Sequence, residues 1–325
     1  MPLVNKEATK QLQEIFHRQG STVIPGGCTQ WHAIMVERAG YEAFYISGAM
    51  THRWLLGWTD SGTITSTEFA DNGANIVKCV NIPVFSDADT GGGNAVNAYR
   101  TVKEYIWAGL AGCHIEDVQF PKGITTKGQE SGSIGGHSNA RIISLEEAVG
   151  KLRAAVAAKR ELDRNFVLIA RNDARNAIGG GFDEAIRRAQ AFQKIPGVDV
   201  LMFDGMRTWE ECRQAIQAVK LPCFFTGTLF SNQRDASGKW VPLPTVEQRA
   251  KDGEKIYLQV GLGLQASDQA AWEILVGFKK RGEQAVDDWR VDVDKKPKEL
   301  QMPSDIPPNE PLWELQETYL PDPTD

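Results

Sequence analysis

Two short acidic segments, Ser86-Asp87-Ala88-Asp89-Thr90-Gly91 and His114-Ile115-Glu116-Asp117, each close a run of strand-forming residues. In a strand, residues two apart point to the same side, so Asp87 and Asp89 share one face and His114 and Glu116 share another. Three carboxylates converging at strand ends suit a hard divalent cation, which prefers oxygen ligands; Mg2+ also tends to keep several of its waters. Such a site polarises an oxygen-rich substrate. The bland alternative is a buried structural cluster, disfavoured because uncompensated buried carboxylates are costly.

The elements that must position these residues follow from hydrophobic period. Strand patterns fall at 22–25, 43–47, 84–89, 112–117, 166–172, 198–203, 223–226 and 255–260, with amphipathic stretches at 30–39, 95–108, 145–159, 183–192, 208–219, 246–252 and 266–281. Eight β-α alternations predict an α/β fold, a (β/α)8 TIM-type barrel whose active site lies at the C-terminal strand ends, where the acidic segments sit. A doubly wound open sheet is the competing architecture.

The expected organisation is an N-terminal helix over 1–20, a catalytic barrel over 21–285 and a Pro-rich, extended C-terminal arm over 286–325. Seven of the fifteen prolines follow Val291, and Trp313 and Tyr319 offer anchors for docking. The Gly- and Ser-rich segment 121–144 is too long for an ordinary βα loop and reads as a lid.

At 325 residues, 42% apolar and 24% charged, the composition is that of an ordinary globular protein. No apolar run reaches the ~18 residues a membrane span needs. The first twenty residues carry Lys6, Glu7, Lys10, Glu14 and Arg18 and lack a signal-peptide core, so a cytoplasmic location is expected. A net charge of −6 without a basic block argues against nucleic acid as a partner. Five cysteines without CxxC spacing read as reduced thiols.

The chain resembles the isocitrate lyase and phosphoenolpyruvate mutase superfamily. The matching stretches are Tyr45-Ile46-Ser47-Gly48, the turn from Leu56 to Gly62, Ser86 to Gly91 with Asn94, Ala111-Gly112 with Ile115-Glu116-Asp117, and Ile169-Ala170-Arg171-Asn172-Asp173-Ala174, in the family's order over roughly residues 20 to 280. The resemblance implies a barrel, Mg2+ or Mn2+, 2-oxo or 2-hydroxy acid substrates, and a homotetramer, a dimer of dimers that exchange the last barrel helix. It also implies site roles. Ser47, Gly48 and Ala49 resemble the turn that hydrogen-bonds the substrate, with Asp204 and Thr228 as further substrate contacts. Asp60, Asp87, Asp89 and Glu116 resemble the metal shell, Arg171 a carboxylate clamp, and Tyr45 the tyrosine beside the reacting oxygen.

One departure matters. The isocitrate and 2-methylisocitrate lyases carry a Lys-Lys/Arg-Cys-Gly-His loop whose cysteine is the acid/base. The comparable stretch here is Ser133-Ile134-Gly135-Gly136-His137, with glycine in the cysteine's place. Lys122 and His137 are the lid candidates for the proton step, each also readable as a solvated loop residue. His114 is readable as a barrel-interior histidine, Cys113 as core, and Cys28 as core or a substitute thiol. Trp31, Trp54 and Trp58 flank the pocket-forming turns.

The expected function is metal-dependent carbon–carbon cleavage of a 2-hydroxy di- or tricarboxylate, of methylisocitrate or alkylmalate type, to an oxo acid such as pyruvate or glyoxylate plus a carboxylate. Oxaloacetate hydrolysis or decarboxylation and phosphonopyruvate processing are alternatives. A small-acid binding homologue without its proton donor is the non-enzymatic one.

Overall fold

Eight parallel strands form one sheet in the computed structural model, which describes residues 5–120, 122, 140–226, 238–239, 242–304, 306 and 310–320. In chain order they are β1 (Thr22–Gly27), β2 (Phe44–Ile46), β3 (Val84–Asp87), β4 (Gly112–Glu116), β5 (Val167–Asn172), β6 (Val200–Asp204), β7 (Cys223–Thr226) and β8 (Ile256–Gln259). Each pairs with its sequence neighbour from β1 to β7, and β8 pairs with β1. The Lys255 amide, just before β8, donates to the Cys223 carbonyl at 3.2 Å, so the sheet curls into a nearly closed barrel. All eight strands coincide with expected ones to within two or three residues.

Strand alternation separates two apolar layers. Inward residues Ala43, Tyr45, Phe85, Val167, Ile169, Val200, Met202, Phe224 and Leu258 form one cluster. Outward residues such as Phe44, Ile46, Cys113, Ile115, Leu168 and Ala170 pack in the second, beneath the helices. Cys113 therefore belongs to the barrel–helix layer. Helix α1 (Lys6–His17), capped by Asn5 accepting from the Ala8 amide at 3.2 Å, buries Ala8, Leu12, Ile15 and Phe16 in the inner cluster. Its Phe16 ring meets Phe85 at 5.8 Å and Phe224 at 5.9 Å between centroids, so α1 plugs the barrel rather than standing beside it.

The outer helices are α2 (Gln30–Arg38), α3 (Gly48–Leu56), α4 (Ser66–Val77), α5 (Ala95–Trp107), α6 (Leu145–Leu162), α7 (Phe182–Phe192), α8 (Trp209–Ala218) and α9 (Val246–Asp252). Helices α3 and α4 have no counterpart in the periodicity. Gly57 and the Trp- and Thr-rich turn around it obscure the pattern. Yet α3 has Ser47 as its N-cap and Gly57 in the left-handed conformation as its stop, and Thr65 and Glu68 form a capping box for α4.

The chain divides into two compact units, ending and beginning at Gly263 and Leu264, ahead of the boundary expected at 285. The second unit holds most of α10 (Leu262–Arg281), followed by α11 (Glu283–Asp294), a 3-10 turn (Lys298–Leu300) and α12 (Glu310–Tyr319). The tail expected as an extended arm is thus largely helical. Pro297 stands just before the 3-10 turn and Pro311 in the first turn of α12, positions where a missing N–H is tolerated. Among the described residues no helix is long and apolar enough to cross a membrane.

Candidate active site at the C-terminal ends of the strands

Inward alternation, continued to the strand ends, turns from apolar to charged. The register sets Asp87 beside His114, Glu116 beside Arg171 and Asp204 beside Thr226. These residues form the top layer of the barrel interior. Below it, the Tyr45 hydroxyl shares a hydrogen bond with His114 Nε2 at 2.8 Å, and His114 Nδ1 lies 3.5 Å from Asp87 Oδ1.

Asp89 sits two residues beyond the end of β3 in the left-handed region, with φ 47°, a conformation that Asp tolerates better than most residues. The surroundings impose it. Its amide donates to Asp87 Oδ1 at 2.8 Å, its carbonyl accepts from the Glu116 amide at 2.9 Å, and the Ala88 amide donates to the His114 carbonyl at 3.1 Å. Oxygens of Asp87, Asp89 and Glu116 consequently lie within 4.8 Å of one another, all buried. Asp89 Oδ2 is buried without a hydrogen-bond partner among the described residues. An inaccessible carboxylate oxygen left in that state is what an oxygen-seeking cation would satisfy, so the three residues fit a divalent ion.

The local cations are Lys122 and Arg171. The Lys122 ammonium is fully buried, hydrogen-bonded to Asp89, 2.9 Å from Glu116 Oε1 and 3.4 Å from Asp60 Oδ1. Arg171 spreads its guanidinium over Asp173 at 2.7 and 3.0 Å, Glu116 at 2.9 Å and Asp204 at 3.6 Å. Asp60, Asp87, Asp89, Glu116, Asp173 and Asp204 thus make six carboxylates around two cations.

The electrostatics record that excess. Burial, reinforced by Asp87, Asp60 and Glu116, pushes Asp89 well above the usual carboxylate range despite Lys122. Burial likewise raises Asp204 to about 8 against the pull of Arg171. Burial alone would lower Lys122, but Asp60, Asp89, Glu116 and Asp87 outweigh it and hold the ammonium charged. Desolvation lowers His114 to about 4, leaving a neutral imidazole, and raises the Tyr45 phenol so that it keeps its proton.

The Ser47–Ala49 turn lies against this layer. Ser47 Oγ caps α3 from the Met50 amide at 3.4 Å, and the Ser47 amide donates to the Gly27 carbonyl at 2.9 Å. A Cβ on Gly48 would lie 2.2 Å from Asp87 Oδ2, so glycine is what allows this backbone and that carboxylate to meet. A cleft of about 430 Å3 opens beside Asp89, lined by Thr63, Thr65, Ser66, Thr90, Asn97 and Phe120 among others. Its hydroxyls and amide supply uncharged hydrogen-bonding partners.

Of the expected site residues, Tyr45, Ser47, Gly48, Ala49, Asp60, Asp87, Asp89, Glu116, Lys122, Arg171 and Asp204 are described at or near this end of the barrel. Asp60 is the most open of the acidic group, its carboxylate 3.8 Å from His52 Nδ1. His137 and Thr228 lie outside the described residues, as does most of the lid segment. The returning chain is tied down, with the Gln119 amide on the Arg141 carbonyl at 2.6 Å and the Ile143 amide on Asp117 at 3.0 Å. Cys28 is fully buried.

Sequence reasoning gave no role to four supporting groups. Asp173 grips Arg171; Asp117 accepts from the Asp173 amide at 2.8 Å and from Arg188 at 3.0 Å; His52 accepts from the Thr63 amide at 3.1 Å and lies 2.9 Å from the Gly48 carbonyl through its other nitrogen. The signal for Asp173 was its spacing, two residues from Arg171 at a strand end. Nothing local pointed to Arg188 or His52.

A (β/α)8 barrel with a buried acidic trio and an arginine at the C-terminal strand ends defines a class of enzyme acting on small oxygen-rich molecules. The chain belongs to the phosphoenolpyruvate mutase and isocitrate lyase superfamily: the family described as phosphoenolpyruvate phosphomutase matches residues 12–236. It is similar to the 2-methylisocitrate lyase of Aeropyrum pernix, at 34% identity over 84% of this chain and 80% of the relative. It is also similar to the 2,3-dimethylmalate lyase of Eubacterium barkeri, at 34% identity over 64% of this chain and 67% of that protein. Among solved structures, an oxaloacetate acetylhydrolase bound to 3,3-difluorooxalacetate superposes with a TM-score of 0.75 at 27% identity, covering 96% of this chain and 97% of its own.

Proposed function

We propose that this protein is a carbon–carbon lyase that cleaves a 2-hydroxy di- or tricarboxylate of the methylisocitrate or alkylmalate type, releasing an oxo acid such as pyruvate or glyoxylate. The observation that carries this reading is the meeting of Asp87, Asp89 and Glu116 with Arg171 and the Ser47–Ala49 turn, in a chain whose relatives include lyases of that kind. Asp87, Asp89 and Glu116, with Asp60 at the edge, would hold Mg2+ or Mn2+. When bound, the ion supplies positive charge where negative charge develops on the substrate's oxygens.

The chain's own groups do the rest. Arg171 has Nε and Nη2 committed to Asp173 and one Nη1 hydrogen to Glu116, which leaves a second Nη1 N–H for a substrate carboxylate. Ser47, Gly48 and Ala49 line the approach to Asp87. Tyr45 keeps its phenolic proton and, with neutral His114, orients the substrate's hydroxyl side, while a carboxylate of the acidic layer takes the proton that this hydroxyl gives up. The carbanion released by bond cleavage takes a proton from a lid residue, Lys122 or His137, in place of the family's cysteine. Asp204 and Thr228 complete the substrate contacts. The subunit is read as part of a cytoplasmic homotetramer. Exposed Trp272, Leu275, Phe278 and Trp289 in the second unit agree with an apolar face awaiting a partner.

A second reading, hydrolysis or decarboxylation of oxaloacetate, is favoured by Gly135 at the cysteine's position, because neither reaction needs that thiol. Product release followed by NMR across 2-hydroxy diacids, alkylmalates, isocitrates, oxaloacetate and phosphonopyruvate separates the readings. Oxo acid from a hydroxy acid supports the lyase, and turnover confined to oxaloacetate supports the second. In either case Asp89→Ala is expected to lose turnover while unfolding like the parent; full activity in that variant under chelation would refute the metal-dependent site.

A further inference from the structure

Lys122 does more than neutralise charge. Its ammonium is fully buried and bonds to two of the three carboxylates suited to a divalent ion, Asp89 and Glu116, with Asp60 at 3.4 Å as a third contact. Its aliphatic stem is also accommodated. Gly62 stands in the left-handed conformation, and a Cβ there would lie 3.1 Å from Lys122 Cγ and 3.4 Å from Cδ. A lysine so enclosed is a fitted component.

We infer that Lys122 is a built-in cation that holds the metal site in the ion's absence, and that a divalent ion binds by expelling this ammonium from Asp89 and Glu116. The inference rests on the metal reading above and deepens it. A dipositive ion sharing oxygens with an ammonium meets repulsion that burial leaves poorly screened. The ammonium must withdraw as the ion enters. While resident, it spares buried Asp89 and Glu116 from facing one another with Arg171 as their sole nearby cationic partner among the described residues. Once displaced, it stands at the rim of the site as a charged donor able to meet an anionic substrate. Metal occupancy and lysine position are therefore linked, and linkage is reciprocal: whatever holds Lys122 in place weakens metal binding by the same factor.

Two measurements on the full chain test this. Mn2+ binding by calorimetry is compared between the parent and Lys122→Met, which keeps the stem and removes the charge. The variant is expected to bind at least about tenfold tighter, within the roughly 5- to 150-fold range of ordinary coupling. Equal or weaker binding overturns the inference while leaving the metal reading intact. Absence of Mn2+ binding to both proteins overturns both. Independently of the variant's folding, reductive methylation of the parent read by mass spectrometry should modify Lys122 faster with Mg2+ than with chelator. Equal protection in the two conditions refutes displacement.

Discussion

Replacing Gly48 with alanine isolates the contact between the α3 entry turn and the acidic layer. Gly48 is the first residue of α3 and its φ is not positive, so alanine meets no backbone penalty there. Propensity and unfolded-state entropy by themselves favour alanine by about 0.5–1 kcal/mol. Against this, the new Cβ would sit 2.2 Å from Asp87 Oδ2 and 2.8 Å from its Cγ. Restoring ordinary contact needs a shift of about 1 Å, which Asp87 is poorly able to make, because Oδ1 holds the Asp89 amide at 2.8 Å and its carbonyl holds the Tyr105 hydroxyl at 2.9 Å. Overpacking costs typically run about 1–3 kcal/mol, so the net destabilisation is expected at roughly 0–2.5 kcal/mol. A displacement of about 1 Å in a catalytic group can cost on the order of 100-fold in rate. The signature is thus a small stability change with a large fall in kcat and weaker Mn2+ binding, measured by urea unfolding, steady-state kinetics and calorimetry. Gly150→Ala is the control, in the middle of α6 with open space where its Cβ would go, and should gain about 0.4–1 kcal/mol without altering turnover. Parental kcat and Mn2+ affinity in Gly48→Ala would refute the steric account.

Glu254 is fully enclosed beside Arg249 at 3.0 Å, and burial lifts it to about 7 against that partner's pull. Because its folded value lies above the unfolded one, the native state binds the proton more tightly. The stability this contributes is present at low pH and lost as pH rises from about 4.5 through 7, by on the order of 3 kcal/mol. In urea titrations the parent-minus-Glu254→Gln difference should fall over that window and flatten above it; a difference independent of pH would contradict the assignment. Of the five thiols only Cys79 is exposed, the other four being buried. Ellman's reagent should therefore titrate one thiol in the native protein and none in Cys79→Ser, whereas a second fast thiol would show Cys28 or another to be open.

The barrel was legible because its strands, buried on both faces, are short continuous apolar runs bounded by Gly, Asn and Asp. Asp87, Asp89 and Glu116 were legible for the same reason: each sits at or just past the end of such a run. What stayed hidden depends on long-range meetings. The Asp173 side chain reads as a neighbour of Arg171 only once β5 is known to end there. Arg188 reaches Asp117 from a helix seventy positions away, which no local pattern announces. The tail misled because proline frequency marks the joints between α11, the 3-10 turn and α12 and says little about what lies between them.

Helix α1 has a consequence for biosynthesis. Leu12, Ile15 and Phe16 leave the ribosome ahead of every barrel strand, yet Phe16 completes its packing against Phe224, encoded roughly two hundred residues later. At bacterial-to-eukaryotic elongation rates of about 5–20 residues per second, that separation is a wait of about 10–40 s with an apolar helix face unmatched. The plug that closes the barrel floor is thus made ahead of the strands it fills and is among the last parts to be housed. The nascent chain must shelter it, by transient contacts or by a chaperone, before the catalytic rim can take its final shape.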